Sequence, residues 1–385
     1  MTRNRIAGLV CCLVFLITGR AQEKNYIDTS DFRDGAHHWY DIRDKNNIIN
    51  PGKEKKRYPA TDIKDIADNM LLYQKDNGGW PKNYDMQAVL TKEQKDSLAR
   101  ASWETNTTFD NGATYPQIVY LAKANSRFPN QAYQKAVIRG LDFILTAQYN
   151  NGGWPQYYPL EKNYSRHITF NDGAMMGIMK LLKEIADDQP EYAFIENGKK
   201  QKLVKAYQKG IDCILKMQIN DNGKPTAWCQ QHDEITLEPA WARKFEPPSI
   251  CNGESAEIVL FLMSIQHPST AIIQAVEDAV AWFESSKITD TRVETIDAPL
   301  MQTNFTVSKH DKIVVNSPGA PPIWTRYYEL KTHRPIFCNR DSKIVYSLAE
   351  VDRERRDGYG WYTYEPQKVL NRYKAWMQKT GLTVR

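Results

Sequence analysis

The stretch that decides the fold is LTAQYNNGGWPQYYP, residues 145–159, because the chain repeats its pattern. The pattern occurs earlier as LLYQKDNGGWPKNYD (71–85) and, more faintly, later as LKMQINDNGKPTAWC (215–229). Each copy joins the end of an apolar run to Gln, Asn and Gly, which is typical of a helix C-terminus followed by a turn. The sequence therefore predicts three helices that end in related loops, and such repetition indicates a fold built from similar units.

A second repeated element alternates with these loops. It reads TTFDNGATYPQIVYLAKA (107–124), ITFNDGAMMGIMKLLKE (168–184) and SICNGESAEIVLFLMSI (249–265), in each of which a turn leads into a helix. Apolar residues cover most of these helices, as is typical of buried helices. Alternating amphipathic and buried helices predict a mainly α fold, an α/α toroid of three helix-pair turns. Residues 290–322 alternate like short strands, so we expect a β-rich insertion there.

The N-terminus predicts export. Arg3 and Arg5 precede an apolar run that is too short to span a membrane, and small residues follow it. Residues 1–21 are therefore predicted to be a signal peptide, and the mature protein is expected to be periplasmic or secreted, without membrane insertion. We expect an irregular N-terminal arm over residues 22–60 and the toroid domain, which carries the functional site, over residues 61–385.

Composition limits the classes of ligand. The 385 residues carry a formal net charge of +5, and three of the arginines lie in the signal peptide, so the mature chain is close to neutral. A chain with so little net charge has no overall positive field that would favour nucleic acid. The cysteines beyond the signal peptide show no CxxC spacing and are too few for a disulfide scaffold, so we interpret them as buried thiols. They are Cys213, Cys229, Cys251 and Cys338.

Acidic residues recur at the turns that begin the second element. Asp110, Asp172 and Glu254 lie at or beside the corresponding turn in three successive copies. An Asp in such a place is ordinarily a helix cap, which accepts hydrogen bonds from unpaired backbone N–H groups. In a toroid, however, corresponding helix N-termini open onto the same face, so the three carboxylates would converge on one cleft. On the repeat alone, the cap and the cleft ligand are both open interpretations.

Arginines alternate with aromatic residues between residues 321 and 366. Three of them are Arg326, Arg334 and Arg340. Pairing with nearby acids explains any one of the three as well as ligand binding does. Arginine also binds carboxylates in a bidentate manner, and sugar rings stack on aromatic faces, so an acidic polysaccharide fits both features. Arg243, eleven residues before Glu254, can reach the same cleft.

Two further features each allow two interpretations. His232 and Asp233 are adjacent, and they form either an acid/base pair or a structural contact within a loop. Trp80 and Trp154 of the NGGWP loops are either platforms for sugar rings or plugs that pack each loop against the helices.

The motifs taken together resemble the pectate lyases of polysaccharide lyase family 10. The resemblance runs from about residue 60 to the C-terminus and is carried by NGGWPKNYD, TFDNGAT, NGGWPQYYP, ITFNDGAM, TAWCQQHDEITLEPAWARKFEPPSICNGES, PPIWTRYYEL and RPIFCNRD. It implies an α/α toroid that cleaves α-1,4-linked polygalacturonate by calcium-assisted anti-β-elimination and releases 4,5-unsaturated oligogalacturonides.

The resemblance also implies roles for individual residues. It assigns Ca2+ binding to Asp110 and Asp172, and removal of the C5 proton to Arg340, with Arg326 as the second candidate. Calcium takes six to eight oxygen ligands, so we expect Asn111 to be a further ligand. The expected substrate-binding residues are Arg326, Arg243, Asp110, Trp154 and Glu254. The free pKa of an arginine lies far above neutral pH, so neighbouring cations would have to favour the neutral form of an arginine base.

Two other functions remain open on the residues alone. One is a glycoside hydrolase on the same toroid, with two of the acids Asp110, Asp172, Asp233 and Glu254 as general acid and base. The other is a pectin-binding protein without catalytic activity. In each case the expected partner is polygalacturonate, and we expect a monomer.

Overall fold

The computed structural model describes residues 25–42, 44–221 and 223–381, and the predicted signal peptide lies outside these ranges. The helices are α1 (Arg33–Asp41), α2 (Ile63–Tyr73), α3 (Lys92–Arg100), α4 (Tyr115–Arg127), α5 (Gln131–Ala147), α6 (Ala174–Ala186), α7 (Asn197–Lys216), α8 (Asn252–Met263), α9 (Thr270–Ser286), α10 (Arg353–Gly358) and α11 (Glu365–Lys379). The predicted mainly α class is confirmed.

The strands are short, except for two. They are β1 (Ile168–Thr169), β2 (Asn220–Asp221), β3 (Lys224–Pro225), β4 (Gln231–His232), β5 (Ile250–Cys251), β6 (Thr291–Gln302), β7 (Val307–Asn316), β8 (Trp324–Thr325), β9 (Tyr327–Tyr328), β10 (Pro335–Cys338), β11 (Ile344–Val345) and β12 (Tyr362–Thr363). The small antiparallel sheets β1–β4, β8–β12 and β11–β10–β9–β5 join the loops between helices.

The helices pack in two rows. The amphipathic helices α2, α5, α7 and α9 are neighbours in an outer row, and α4, α6, α8 and α11 are neighbours in an inner row. Helix α6 is buried over most of its length, as its continuous apolar sequence predicts. Whether the two rows close into a toroid stays a prediction.

A buried tryptophan follows each outer helix. The indole Nε1 atoms of Trp80, Trp154 and Trp228 donate to Met70 O (2.8 Å), Ile144 O (2.9 Å) and Ile214 O (2.8 Å), which are carbonyls of the preceding helix. Each bond adds a partner to a carbonyl near a helix C-terminus, where hydrogen bonds within the helix become fewer. The loops are therefore fastened to the helices by their tryptophans.

The structure contains a fourth copy of this unit, where the sequence predicted three. Trp324 Nε1 donates to Phe283 O of α9 at 2.9 Å, as its three counterparts do. The fourth inner helix, α11, follows β12, which pairs with the strand that contains Trp324. The pattern was hidden because the fourth loop contains a long insertion between the helix and its tryptophan. That insertion is the hairpin of β6 and β7, within the predicted β-rich range 290–322.

The N-terminal arm is more regular than predicted. It contains α1, whose Ala36 and Trp39 are buried together with Phe32 just before the helix. These residues follow a helical spacing that the surrounding Asp, Arg and His residues obscure in the sequence. Arg57 ties the end of the arm to the buried carboxylate of Asp85 with two bonds of 2.6 and 3.1 Å.

One prediction about residue environment is met in the part of the chain that the structure describes. Its four cysteines are free and buried, as interpreted from their spacing. None of the described helices combines the length and the apolar character that crossing a membrane requires.

Candidate functional site

Two turns that precede inner helices meet at the floor of a cleft. The first is Asp110–Gly112, before α4, and the second is Asn171–Gly173, before α6, and the two turns are in contact. Asn111 and Asp172 occupy the same place in their turns, with left-handed φ values of 49° and 52°. Asn and Asp tolerate this conformation better than other residues with side chains.

The two aspartates are therefore not equivalent, although the repeat suggested that they are. Asp110 is the first residue of its turn and is buried, and the corresponding residue of the second turn is Asn171, which is also buried. Asp172 is one place later and is exposed to the cleft. The exchanged order, Asp-Asn in one turn and Asn-Asp in the other, puts one carboxylate beneath the surface and one on it.

Both carboxylate oxygens of Asp110 are bound by side chains of the neighbouring loops. Lys82 Nζ lies 2.5 Å from Oδ2, and Gln156 Nε2 donates to Oδ1 at 2.8 Å. Burial opposes protonation of Lys82, but the charge of Asp110 outweighs it, so the pKa of Lys82 is raised. Lys82 and Gln156 both occupy the second position after the tryptophan of their loop. This shared place after the tryptophan is visible in the sequence, yet neither residue was among the predicted site residues.

In the fourth copy, the second residue after the tryptophan also contributes a side chain to the site. Arg326 is the second residue after Trp324, and its Nη2 donates to Asn171 Oδ1 and to Glu254 Oε1, both at 3.0 Å. Burial opposes protonation of Arg326, but Glu254 and nearby tyrosines outweigh it and hold its pKa above the ordinary value. Arg326 thereby links the second turn to the first turn of α8.

Asp172 is the most perturbed acid of the cleft. Asn171 Nδ2 donates to its Oδ2 at 2.6 Å, and Asp110 and Glu254 lie close enough to repel its charge. Two main causes raise the pKa of Asp172 to about 7. The larger is the loss of hydration between the walls of the cleft, and the smaller is repulsion from the charge of Asp110. Such crowding of carboxylates disfavours the ionised form unless a cation compensates for it.

The residues present fit a hard cation. The side chains of Asp110, Asp172 and Asn111 offer oxygen atoms, the ligands that Ca2+ prefers. Glu254 Oε2 is buried and has no hydrogen-bond partner among the described residues. Lys82 is paired with Asp110, so it already offsets part of the negative charge of these oxygens.

A second acidic group is less suited to calcium. Ligand atoms of His167, Asp233 and Glu234 lie within 4.8 Å of one another. Glu234 is already paired with Arg166 at 2.5 Å and with His167 at 2.9 Å, and Asp233 accepts backbone N–H groups of its own loop. One ligand is an imidazole, and Glu234 is already ion-paired through both oxygens, so the group is less suited to calcium than the acidic turns are.

Arg243 lines the cleft with the acidic turns. It forms a bidentate pair with Glu246, with distances of 2.8 and 2.6 Å, and Glu246 faces the cleft as well. The cleft has a volume of about 260 Å³ and is lined mainly by polar and charged side chains. They are Asp34, His38, Lys82, Asp110, Asn111, Gln156, Tyr164, Asn171, Asp172, Gln231, Arg243 and Glu246.

Arg340 lies beside this cleft and is not part of its lining. Glu354 of α10 holds its Nε at 2.8 Å and its Nη2 at 2.7 Å. Its guanidinium carbon lies 5.0 Å from the centre of the Phe245 ring, at the same distance as that of Arg243. Phe245 thus connects Arg340 with the lining residue Arg243.

Trp154 does not bind substrate from its observed position, which corrects the prediction. It is fully buried, as is Trp80, and its polar nitrogen is used within the fold. The packing alternative therefore holds for both tryptophans. The structural alternative also holds for His232, because it is buried, donates from Nδ1 to Leu237 O and accepts from Cys229 N.

Comparison with known proteins identifies a matching family and similar solved structures. A sequence model of the family described as pectic acid lyase matches residues 74–370. A solved structure of a mutant family 10 polysaccharide lyase from Cellvibrio cellulosa, in complex with trigalacturonic acid, is 31% identical with a TM-score of 0.67, covering 83% of this chain and 93% of that one. The family 10 polysaccharide lyase from the same organism is also 31% identical, with a TM-score of 0.66 and coverages of 83% and 92%. None of the curated proteins compared with the chain is significantly similar to it.

Proposed function

Because the chain belongs to the pectic acid lyase family and is a pectate lyase, we propose that it cleaves α-1,4-linked polygalacturonate by calcium-assisted anti-β-elimination. The observation that carries this proposal is a cleft lined by carboxylates of two adjoining turns and by Arg243, with Arg326 bound to the second turn. Its acids can hold a cation and its arginines can hold a polyanion. The complex of the similar Cellvibrio lyase with trigalacturonic acid supports galacturonate as the substrate unit.

The acidic turns would hold the cation. Asp172 would bind through its exposed carboxylate, and Asp110 and Asn111 of the adjoining turn would supply further oxygens. Bound there, Ca2+ stabilises negative charge that develops on the carboxylate next to C5. Arg326 and Arg243 bind substrate carboxylates, and Glu254 acts through Arg326 by fixing its guanidinium at 3.0 Å.

Arg340 is the proposed base. Removal of the C5 proton lets its electron pair form the C4=C5 double bond while the C4–O bond breaks, and the leaving oxygen takes up a proton. Glu354 orients the guanidinium through two bonds. Arg355 lies 4.3 Å from the same Phe245 ring, and burial lowers the pKa of Arg355, with Arg340 adding to the effect.

The test is the formation of unsaturated product from polygalacturonate. A 4,5-unsaturated uronide absorbs ultraviolet light, so we expect absorbance to rise with calcium present, to stop with a chelator, and to return when calcium is added back. A hydrolase would release saturated ends without an absorbance change. A pectin-binding protein would give no new ends. No rise with calcium present would refute the lyase mechanism, and a rise unaffected by the chelator would refute the role of calcium.

Three further proposals rest on the sequence and on the packing of helices. We propose that the two helix rows curve into an α/α toroid, since each inner helix packs on its neighbour in the row. We also propose that residues 1–21 direct export and that the mature protein acts as a monomer in the periplasm or outside the cell.

A further inference from the structure

A continuous stack of guanidinium groups and aromatic rings leads away from the cleft. It begins at Arg326, whose guanidinium carbon lies 4.9 Å from the centre of the Tyr359 ring. Arg355 lies 4.0 Å from Tyr359 on one side and 4.3 Å from Phe245 on the other. Arg340 follows, 5.0 Å from Phe245. All these distances fall within the range of cation–π attraction.

The stack ends on the tip of the β6–β7 hairpin, which we define as residues 303–306. The Phe305 ring lies 3.7 Å from the guanidinium carbon of Arg340, yet 64% of this residue is exposed. A large apolar side chain that remains this open beside a charged group has much of its surface available to a ligand.

The tip has a defined shape. Thr303 Oγ1 accepts the backbone N–H groups of Phe305 and Thr306, both at 3.1 Å, and Thr303 N donates to Thr306 O at 2.9 Å. These bonds order the backbone of the tip. Phe305 therefore projects from an ordered turn.

The hairpin rests on the helix that also holds Arg340. Asp311 of β7 forms two bonds of 2.7 Å with Arg356 of α10, and Lys312 Nζ donates to Asp357 O at 2.7 Å. Glu354, the partner of Arg340, lies on the same helix. Helix α10 thus sets the position of the hairpin relative to Arg340.

We infer that the hairpin tip forms a substrate subsite beside Arg340, in which the exposed face of Phe305 packs against a galacturonate ring. The inference rests on the proposed function, which brings a galacturonate unit to Arg340. The position of the tip favours this occupant, because Phe305 lies against Arg340, and Arg340 contacts the same Phe245 ring as the cleft-lining Arg243. Each sugar ring also has an apolar face for aromatic contact, which a small inorganic anion lacks.

The first test compares Phe305→Ala with the wild type on polygalacturonate by steady-state kinetics. We expect KM to rise about tenfold, as the loss of one partly buried aromatic contact predicts, with kcat within about twofold. Phe305→Trp should restore KM, because it keeps an aromatic face. Leu300→Ala is the matched control, since Leu300 is 61% exposed on the same hairpin and lies outside the tip; it should leave KM unchanged.

Several outcomes would overturn the subsite. They are an unchanged KM in Phe305→Ala, a fall in kcat alone, which would mean that Phe305 only positions Arg340, and an equal effect of Leu300→Ala. A wild-type dimer that Phe305→Ala dissociates without changing KM would identify the tip as a contact between copies of the chain.

The subsite and the proposed function can fail separately. If the wild type forms no unsaturated product, the proposed function fails, and calorimetric titration with hexagalacturonate still tests the subsite. Weaker binding by Phe305→Ala than by Leu300→Ala would then support the subsite, and equal binding would refute it.

Discussion

Asp172 shows how one position in a turn changes the chemistry of a residue. At the first place of the turn it would be buried like Asp110 and paired with groups of the neighbouring loops. At the second place it is exposed to the cleft, and its charge is opposed by the other acids. The exchange of Asp and Asn between the two turns therefore provides one buried carboxylate that is paired with Lys82 and one carboxylate that is exposed to the cleft.

The raised pKa of Asp172 predicts a pH-dependent stability of the calcium-free protein. The folded state holds this proton more tightly than the unfolded state, whose Asp has the ordinary pKa near 3.8. The contribution of this proton to the stability of the folded state is therefore complete below pH 3.8 and is lost as pH rises through about 7. We expect the free energy of unfolding, measured with denaturant and a chelator, to fall from pH 5 to pH 8 by more in the wild type than in Asp172→Asn. Equal falls would show that Asp172 titrates normally.

Arg340 carries the proposed proton transfer. Arg340→Ala should lower kcat by a factor of about 10² to 10⁴, the usual contribution of general base catalysis, and leave binding of oligogalacturonate measurable. Arg334→Ala is the matched control, because Arg334 also stacks on an aromatic ring, that of Tyr346, and is exposed. If Arg340→Ala kept a near-normal rate, Arg326 would be the next candidate for the base.

At the scale of elements, three of the four loops that follow an outer helix combine a structural and a functional residue. The tryptophan is buried and hydrogen-bonded to the helix, and the residue two places later contributes to the site; in the third loop that residue, Gln230, is buried beside the site. Lys82 and Gln156 bind Asp110, Gln230 accepts a bond from Tyr327 at 3.2 Å, and Arg326 joins Asn171 to Glu254. A rigid anchor so close to a functional side chain restricts where that side chain can point.

The buried tryptophans should matter for stability and not for substrate contact. Trp154→Phe removes the bond to Ile144 O and leaves a buried carbonyl unpaired, so we expect the free energy of unfolding to fall by about 1–3 kcal/mol. KM should stay near the wild-type value. Trp103→Phe is the control, since Trp103 is 71% exposed, and its stability should be unchanged. A raised KM with normal stability in Trp154→Phe would restore the sugar-platform interpretation.

At the scale of the whole molecule, the N-terminal arm is part of the domain. Its helix α1 adds Phe32, Ala36 and Trp39 to the core, and Asp34 and His38 reach the cleft. The arm is fixed at its other end by the bonds between Arg57 and Asp85, whose carboxylate also accepts a bond from Tyr40 at 3.0 Å.

We expect removal of the Arg57 side chain to weaken the attachment of the N-terminal arm to the rest of the domain. Arg57→Ala leaves the fully buried Asp85 without its counter-ion, so we expect a loss of about 2–3 kcal/mol in the free energy of unfolding. Lys56→Ala is the control, because Lys56 pairs with Glu54 on the surface, where such pairs contribute less than about 1 kcal/mol. Equal effects of the two substitutions, measured by denaturant unfolding, would contradict an anchoring role of Arg57.

The sequence by itself determined the helical class and the residue types of the site. The repeated Trp loops and apolar helices are local patterns, and the acids and arginines that gather at the cleft follow from their places in those repeats. The fourth repeat escaped detection because the hairpin separates α9 from Trp324 by 37 residues of chain, numbered 287–323.

Only the tertiary structure decided which of these residues meet. Burial turned Trp154 from a candidate platform into a packing residue, and the left-handed turn separated the roles of Asp110 and Asp172. The contact of Phe305 with Arg340 joins two segments whose sequences carry no shared signal. Such contacts depend on how helix α10 carries the hairpin, and a pairing of distant segments is set by packing, which no local pattern of residues encodes.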